Sequence, residues 1–175
     1  MRLFHVSEES DIEVFVPRLP KRTDLDPNIG FVWAIDERRL PNFITPRDCP
    51  RVAYYSDNST CESDKHQFFS SLTATHALII EKKWYHIMEK TTLYLYEFDT
   101  KDFVLQDDVA GYYVATKTQH PINRIILNNL FAELMKRNVE IRIVDNLWEI
   151  AEKVKQSTLR WSLCRMKNAE PPVSL

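Results

Sequence analysis

The sequence predicts an α+β fold: a single domain with a mixed or antiparallel sheet of about six to eight strands and three to four helices. Three observations point there. Strand-like runs outnumber helical ones and do not alternate with them as they do in doubly wound α/β proteins. With 175 residues, 44% of them hydrophobic and 27% charged, the chain has the length and composition of one soluble core. Its two glycines, Gly30 and Gly111, are too few and too isolated for the Gly-rich phosphate loops of Rossmann or P-loop proteins. The domain is expected over residues 1–169, with a loose tail over residues 170–175.

Residues 2–6 are apolar and aromatic and read as a strand, ended by the polar run from Ser7 to Asp11. A Pro- and Asp-rich connector follows from Pro17 to Pro27. Gly30 to Ile35 reads as a second strand, closed by Asp36 to Arg39. The segment from Leu40 to Arg51 holds Pro41, Pro46 and Pro50 around Arg47, Asp48, Cys49 and Arg51. Proline fixes φ and restricts the residue before it, so this segment is expected to be stiff without being helical or sheet-like. Val52 to Tyr55 reads as a third strand.

Ser56 to Lys65 is polar and reads as an exposed loop. A short helix is expected next, capped by Ser63 or Asp64 and burying Phe68, Phe69 and Leu72. Residues 76–80 suit a strand, and residues 81–90 suit a helical turn or two carrying Trp84, Ile87 and Met88. Thr91 to Phe98 is the strongest strand. It is β-branched and aromatic with apolar groups on both faces, which places it inside the sheet. Phe103 to Leu105 and Gly111 to Thr116 read as two more strands around a turn at Gln106 to Ala110.

Leu127, Leu130, Phe131 and Leu134 fall on one helical face, with Asn138 as the stop because asparagine tolerates the left-handed conformation. Val139, Ile141 and Ile143 alternate with Glu140 and Arg142 as a half-buried strand. Leu147, Ile150, Ala151 and Val154 return to helical spacing behind a capping-box-like Asn146 and Glu149. Leu159, Trp161 and Leu163 alternate once more.

The net charge of −2 supplies no chain-wide attraction to nucleic acid. Three cysteines without a CxxC pair argue against a zinc ribbon or a thioredoxin-type site, and no metal is expected. Reduced thiols, no signal-type apolar region at the start and no run near the roughly 20 apolar residues of a membrane span predict a cytoplasmic protein with no membrane partner.

Several residues are candidates for chemistry. His5 and Ser7 lie two apart in an extended segment, so both face one way and suit a sugar or phosphate. The alternative is a core histidine bonded to backbone and a turn serine. Arg47 and Arg51 suit bidentate recognition of phosphate or carboxylate, with Arg18, Arg22, Arg38 and Arg39 adding local charge. Residues 17–51 hold seven basic and five acidic groups, a net of +2. The alternative is that Arg47 pins the loop through an acid. Cys49 lies between cations that would lower a thiol pKa, which permits a Cys49–His5 nucleophile pair. Equally, cysteine is a small buried hydrophobe. Trp33, Tyr54, Tyr55, Tyr112 and Tyr113 offer faces on which a base or nicotinamide could stack, or else fill the core. Glu97 is a candidate acid, or the point where a sheet edge meets solvent.

Leu3-Phe-His-Val-Ser7, Val32-Trp-Ala34, Pro46-Arg-Asp-Cys-Pro-Arg51, Thr92-Leu-Tyr-Leu-Tyr96, Gly111-Tyr-Tyr-Val114 and Glu140-Ile-Arg-Ile143 together resemble a family of uncharacterised bacterial proteins that carries a domain-of-unknown-function label. The resemblance spans Leu3 to about Ala169, and its most specific part is the Pro46–Arg51 run. It implies a single-domain bacterial protein with no established activity. The first strand, a histidine followed two residues later by a hydroxyl, is also similar to the start of ADP-ribosyltransferase-like folds. That similarity implies NAD held in a cleft of a split, mixed sheet, with His5 in the first position. Trp33 stands near where that pattern has a tyrosine. Tyr112 and Tyr113 occupy the strand expected for its glutamate, and Glu97 comes early. A related tRNA 2′-phosphotransferase group uses arginines with a histidine, which would give roles to Arg47 and Arg51.

The combined expectation is a small anionic ligand, containing a nucleotide or phosphate, in a cleft lined by His5 and the Pro46–Arg51 loop, without established catalysis. His5 is the candidate catalytic residue; Ser7, Trp33, Arg47, Arg51 and Tyr113 are candidate ligand-binding residues. The alternatives are an NAD-using ADP-ribosyltransferase-like enzyme and a Cys49-dependent enzyme.

Overall fold

A computed structural model describes residues 1–20, 25–71 and 73–172. Arg22, Leu72 and the tail residues 173–175 lie outside them. The architecture is α+β, with a six-stranded antiparallel sheet, a four-stranded mixed sheet and four α-helices among the described residues. The chain divides into two compact units. One comprises Met1–Phe43 and Leu93–Leu127; the other comprises Ile44–Thr92 and Asn128–Leu175.

The first unit is built on strands β1 (Leu3–Ser7) and β2 (Val32–Asp36), joined later by the sequence-continuous group from Leu93 to Leu127. In the second unit, β3 (Arg51–Tyr55) leads to helix α1 (Glu62–Phe68), strand β4 (His76–Glu81) and helix α2 (Tyr85–Lys90). The chain then returns to the first unit for β5 (Leu93–Phe98), β6 (Val104–Asp107), β7 (Tyr112–Ala115) and β8 (Asn123–Leu127). Helix α3 (Leu130–Lys136), strand β9 (Val139–Val144), helix α4 (Trp148–Lys155) and strand β10 (Arg160–Cys164) complete the second unit.

In the first unit the strand order is β6-β7-β2-β1-β5-β8. The alternating aromatic run of β5 has a partner on each side, β1 and β8, as its two apolar faces predict. One face of the sheet packs Leu3, Val32, Ala34, Tyr96, Phe98 and Ala115 with Phe15 and Phe103. Phe15 is locked by paired backbone bonds to Gln119, both 2.9 Å, and its ring meets Phe98 edge-on at 5.0 Å. Gly111 closes the β6–β7 turn at φ 66°, where a Cβ would overlap the Arg39 side chain; this is a position that only glycine fills without strain.

In the second unit the order is β10-β3-β4-β9, and β4 pairs with β9 in parallel. Every residue of β3 and β4 is buried, which is the pattern of strands covered on both faces. Val52, Tyr54, Ala77 and Ile79 pack against Phe68, Phe69, Leu147, Ala151, Val154 and Leu159, which joins one face of this sheet to α1 and α4.

Four local expectations differ from the structure. Leu40–Phe43 coils into a 3-10 turn within the segment expected to be irregular, and Arg51 begins β3. Leu127 ends a strand instead of opening a helix, because residues 123–127 pair with β5. The helix starts three residues later, where the Asn129 side chain accepts the Ala132 N–H at 2.9 Å. Cys61, not Ser63 or Asp64, occupies the cap position of α1, since the Asp64 carboxylate accepts the backbone N–H of Thr158 at 2.6 Å and its hydroxyl at 2.5 Å. Residues 170 and 171, expected to begin a loose tail, are tied down: Glu170 N–H donates to the buried Glu81 carboxylate at 2.9 Å, and the Pro171 carbonyl accepts from Asn146 at 2.8 Å. Asn138 does end its helix in the left-handed region, at φ 56°.

Candidate functional site

His5, Ser7, Trp33 and Tyr113 belong to the first unit, whereas Arg47, Cys49 and Arg51 belong to the second. Within the first unit, strand register decides which side chains share a face. Leu3 lies opposite Asp36 and Phe4 opposite Ile35, so Leu3, His5 and Ser7 share a face with Ala34 and Asp36. Ala34 lies opposite Tyr113, which puts Tyr113 on the His5 face as well. Trp33 and Tyr112 point to the other face, and their rings meet at 5.3 Å. His5 and Trp33 therefore do not form one cradle for a ribose and a ring, and we derive no step through NAD.

The polar atoms of the first strand engage neighbouring structure. His5 Nδ1 lies 3.1 Å from the Trp33 carbonyl, and its ring packs 4.9 Å from Phe15. Ser7 Oγ accepts the Glu9 N–H at 3.0 Å, as a turn serine does. Tyr113 is half-buried against the first unit's core. Glu97 is held by both arms of Arg2, at 2.8 and 2.9 Å. Hydrogen bonding to that guanidinium keeps its carboxyl below the ordinary glutamate value, so it stands as the partner in an ion pair, not as a poised acid.

The second unit holds the Pro46–Arg51 loop. Its first four residues form a turn closed by the Cys49 N–H donating to the Pro46 carbonyl at 3.0 Å. The two carbonyls at the tip are also tied. Arg165 Nε donates to the Arg47 carbonyl at 3.0 Å, and Asn168 Nδ2 donates to the Asp48 carbonyl at 2.8 Å. Arg47 and Asp48 are exposed on this turn. Arg51 is 6% exposed, and its Nη1 donates to the Cys49 carbonyl at 3.0 Å.

Cys49 corrects the expectation of a reactive thiol. It is fully buried, and its Sγ lies 3.5 Å from the Pro50 carbonyl. Burial pushes its pKa up to about 12, against the opposing pull of Arg51, because desolvating a thiolate costs more than one neighbouring cation returns. It stays a neutral thiol at physiological pH.

Arg165 was not among the candidates read from the sequence. It follows β10 with φ 55° and ψ 26°, the left-handed region that an arginine seldom enters. No sequence signal marks it, because the clamp pairs residues 118 positions apart.

An α+β protein with two sheets and a fixed, cation-bearing turn is the class that these features define. The chain belongs to the family of unknown function DUF6886, whose model matches residues 4–169. No curated protein and no solved structure matches it. Among the described residues, no helix is long and apolar enough to cross a membrane.

Proposed function

We propose that this protein binds a small anion, a nucleotide- or phosphate-containing ligand, through the Pro46–Arg51 loop without acting on it chemically. One observation carries the reading: the turn that bears the exposed Arg47 has its backbone closed by Cys49 and clamped at both tip carbonyls by Arg165 and Asn168. A fixed backbone lowers the ordering cost of capture, and a planar guanidinium suits phosphate oxygens. In this reading Arg51 supports the turn from beneath, and His5 serves the first unit's core.

The test is an NMR titration of the full chain with ADP-ribose and with inorganic phosphate. Amide shifts confined to residues 46–49 and their clamps are expected, lost in Arg47→Ala and retained in His5→Ala. No perturbation at millimolar ligand would remove the anion reading. Release of nicotinamide from NAD would replace it with the ADP-ribosyltransferase-like alternative.

A further inference from the structure

We propose that residues 165–171 form a strap that opens and closes together with the Pro46–Arg51 turn, so that a latch on the buried Glu81 carboxylate controls whether the turn is held. The linkage goes beyond the anion reading and does not depend on it.

All the contacts involved lie within the second unit. At one end the strap grips the turn, with Arg165 Nε on the Arg47 carbonyl and Asn168 Nδ2 on the Asp48 carbonyl. Those two residues belong to one closed piece of backbone, a 3-10 turn over Met166–Asn168. In it the Asn168 N–H donates to the Arg165 carbonyl at 2.8 Å and the Ala169 N–H to the Met166 carbonyl at 3.0 Å. At the other end the strap is latched. The Glu170 N–H donates to both oxygens of Glu81, at 2.9 and 3.1 Å. Lys83 Nζ bridges the two carboxylates, 3.4 Å from Glu81 and 2.8 Å from Glu170. The start of α4 adds two donors: Trp148 Nε1 reaches the Glu170 carbonyl at 2.7 Å, and Asn146 Nδ2 reaches the Pro171 carbonyl at 2.8 Å.

Three features make this a device that can open. Glu81 is 1% exposed, and taking a carboxylate out of water is costly. That cost is offset by Lys83 and by a strap amide that is in place only while the strap is closed. Arg165 holds φ 55° and ψ 26°, a left-handed strain that opposes closure and persists because the surrounding bonds impose it. Finally, the strap is held mainly by side-chain bonds to its backbone, with Met166 and Ala169 only partly buried against the core. Segments of that kind open at a lower cost than core strands. Because the grip and the latch share one short turn, lifting Glu170 from Glu81 carries Arg165 and Asn168 off the tip carbonyls. Under the anion reading, this is the step that frees the ligand.

The experiment is native-state hydrogen exchange by NMR on the full chain, without ligand, for wild type, Glu81→Gln and Trp148→Phe. Three amides are read: Glu170 at the latch, Cys49 inside the turn, and Leu78 at the centre of β4 as a reference for global opening. In Glu81→Gln the Glu170 and Cys49 amides should both exchange about ten-fold faster, the factor for about 1.4 kcal/mol, with Leu78 unchanged. Trp148→Phe removes a neutral bond and keeps the ring, so both amides should quicken by about five-fold. It carries the test alone if Glu81→Gln does not fold. If Glu170 quickens while Cys49 does not, the strap opens by itself and the linkage is overturned. Equal acceleration of all three amides means global unfolding and overturns it too, as does no change at Glu170 in either variant. The anion reading is tested separately by its own titration, so either can fall without the other.

Discussion

The strand that carries His5 and the turn that carries Arg47 use polar side chains in opposite ways. In the strand, side chains supply the local bonds: His5 Nδ1 meets the Trp33 carbonyl and Ser7 Oγ receives the Glu9 N–H. In the turn, the backbone is satisfied by its own Cys49 amide and by Arg165 and Asn168 from far along the chain, and Arg47 is exposed. A polar residue can be offered to a ligand when other groups meet the hydrogen-bonding needs of its surroundings. Arg51 lies four residues from Arg47 and sits on the strand's side of this contrast.

The sharpest way to test the contrast is Arg51→Ala. It removes a charge-assisted bond to the Cys49 carbonyl and leaves that acceptor without its donor in a buried place, a loss of about 2–3 kcal/mol. Urea denaturation measures it. A cost below about 0.5 kcal/mol would mean that Arg51 does not hold the turn. His5→Ala comes next, at about 1–2 kcal/mol, for a half-buried bond and the packing on Phe15. If His5→Ala were neutral to stability yet reduced ligand capture, the strand would join the turn as a binding element and the contrast would fail.

Most of the fold was legible because local pattern and tertiary pairing agree. The apolar run at 77–80, the aromatic run at 93–98 and the stop at Asn138 each follow from one rule of burial or backbone geometry. Leu127 misled because its spacing to Leu130 and Leu134 suits a helix, while pairing with β5 claims it for a strand. Asn129, a good N-cap, was the available signal for the true start. The candidate site was less legible. Arg47 and Arg51 look equivalent in sequence, and only the fold separates the exposed one from the buried one. Cys49 beside two arginines suggested a lowered pKa, but burial outweighs neighbouring charge. The clamp by Arg165 and Asn168 spans nearly 120 residues, beyond any local pattern.

Cys49 gives a kinetic and a pH-dependent test of the same turn. Exposed Cys61 and half-buried Cys164 should be alkylated in the native protein, and Cys49 only on unfolding. Its thiol ionises near 9 when unfolded and near 12 when folded. A raised folded pKa gives stability that is whole below about pH 9 and declines as pH rises from there toward 12. Replacing Cys49 with alanine should flatten that alkaline decline. Rapid native alkylation of Cys49 at neutral pH would show that the turn opens, and the fixed backbone on which the anion reading depends would be lost.

The smallest expected stability effect belongs to Arg47→Ala. Its side chain is exposed and the turn is held through its carbonyl, which alanine retains. The change should stay within about 0.5 kcal/mol, as surface substitutions do. The same substitution should abolish the phosphate-dependent amide shifts. That combination, full stability with lost binding, separates a side chain offered to a ligand from one that holds the fold, and Arg51→Ala should give the reverse order of effects. If Arg47→Ala destabilised the protein as much as Arg51→Ala, both arginines would be architecture, and the turn would stand with the His5 strand.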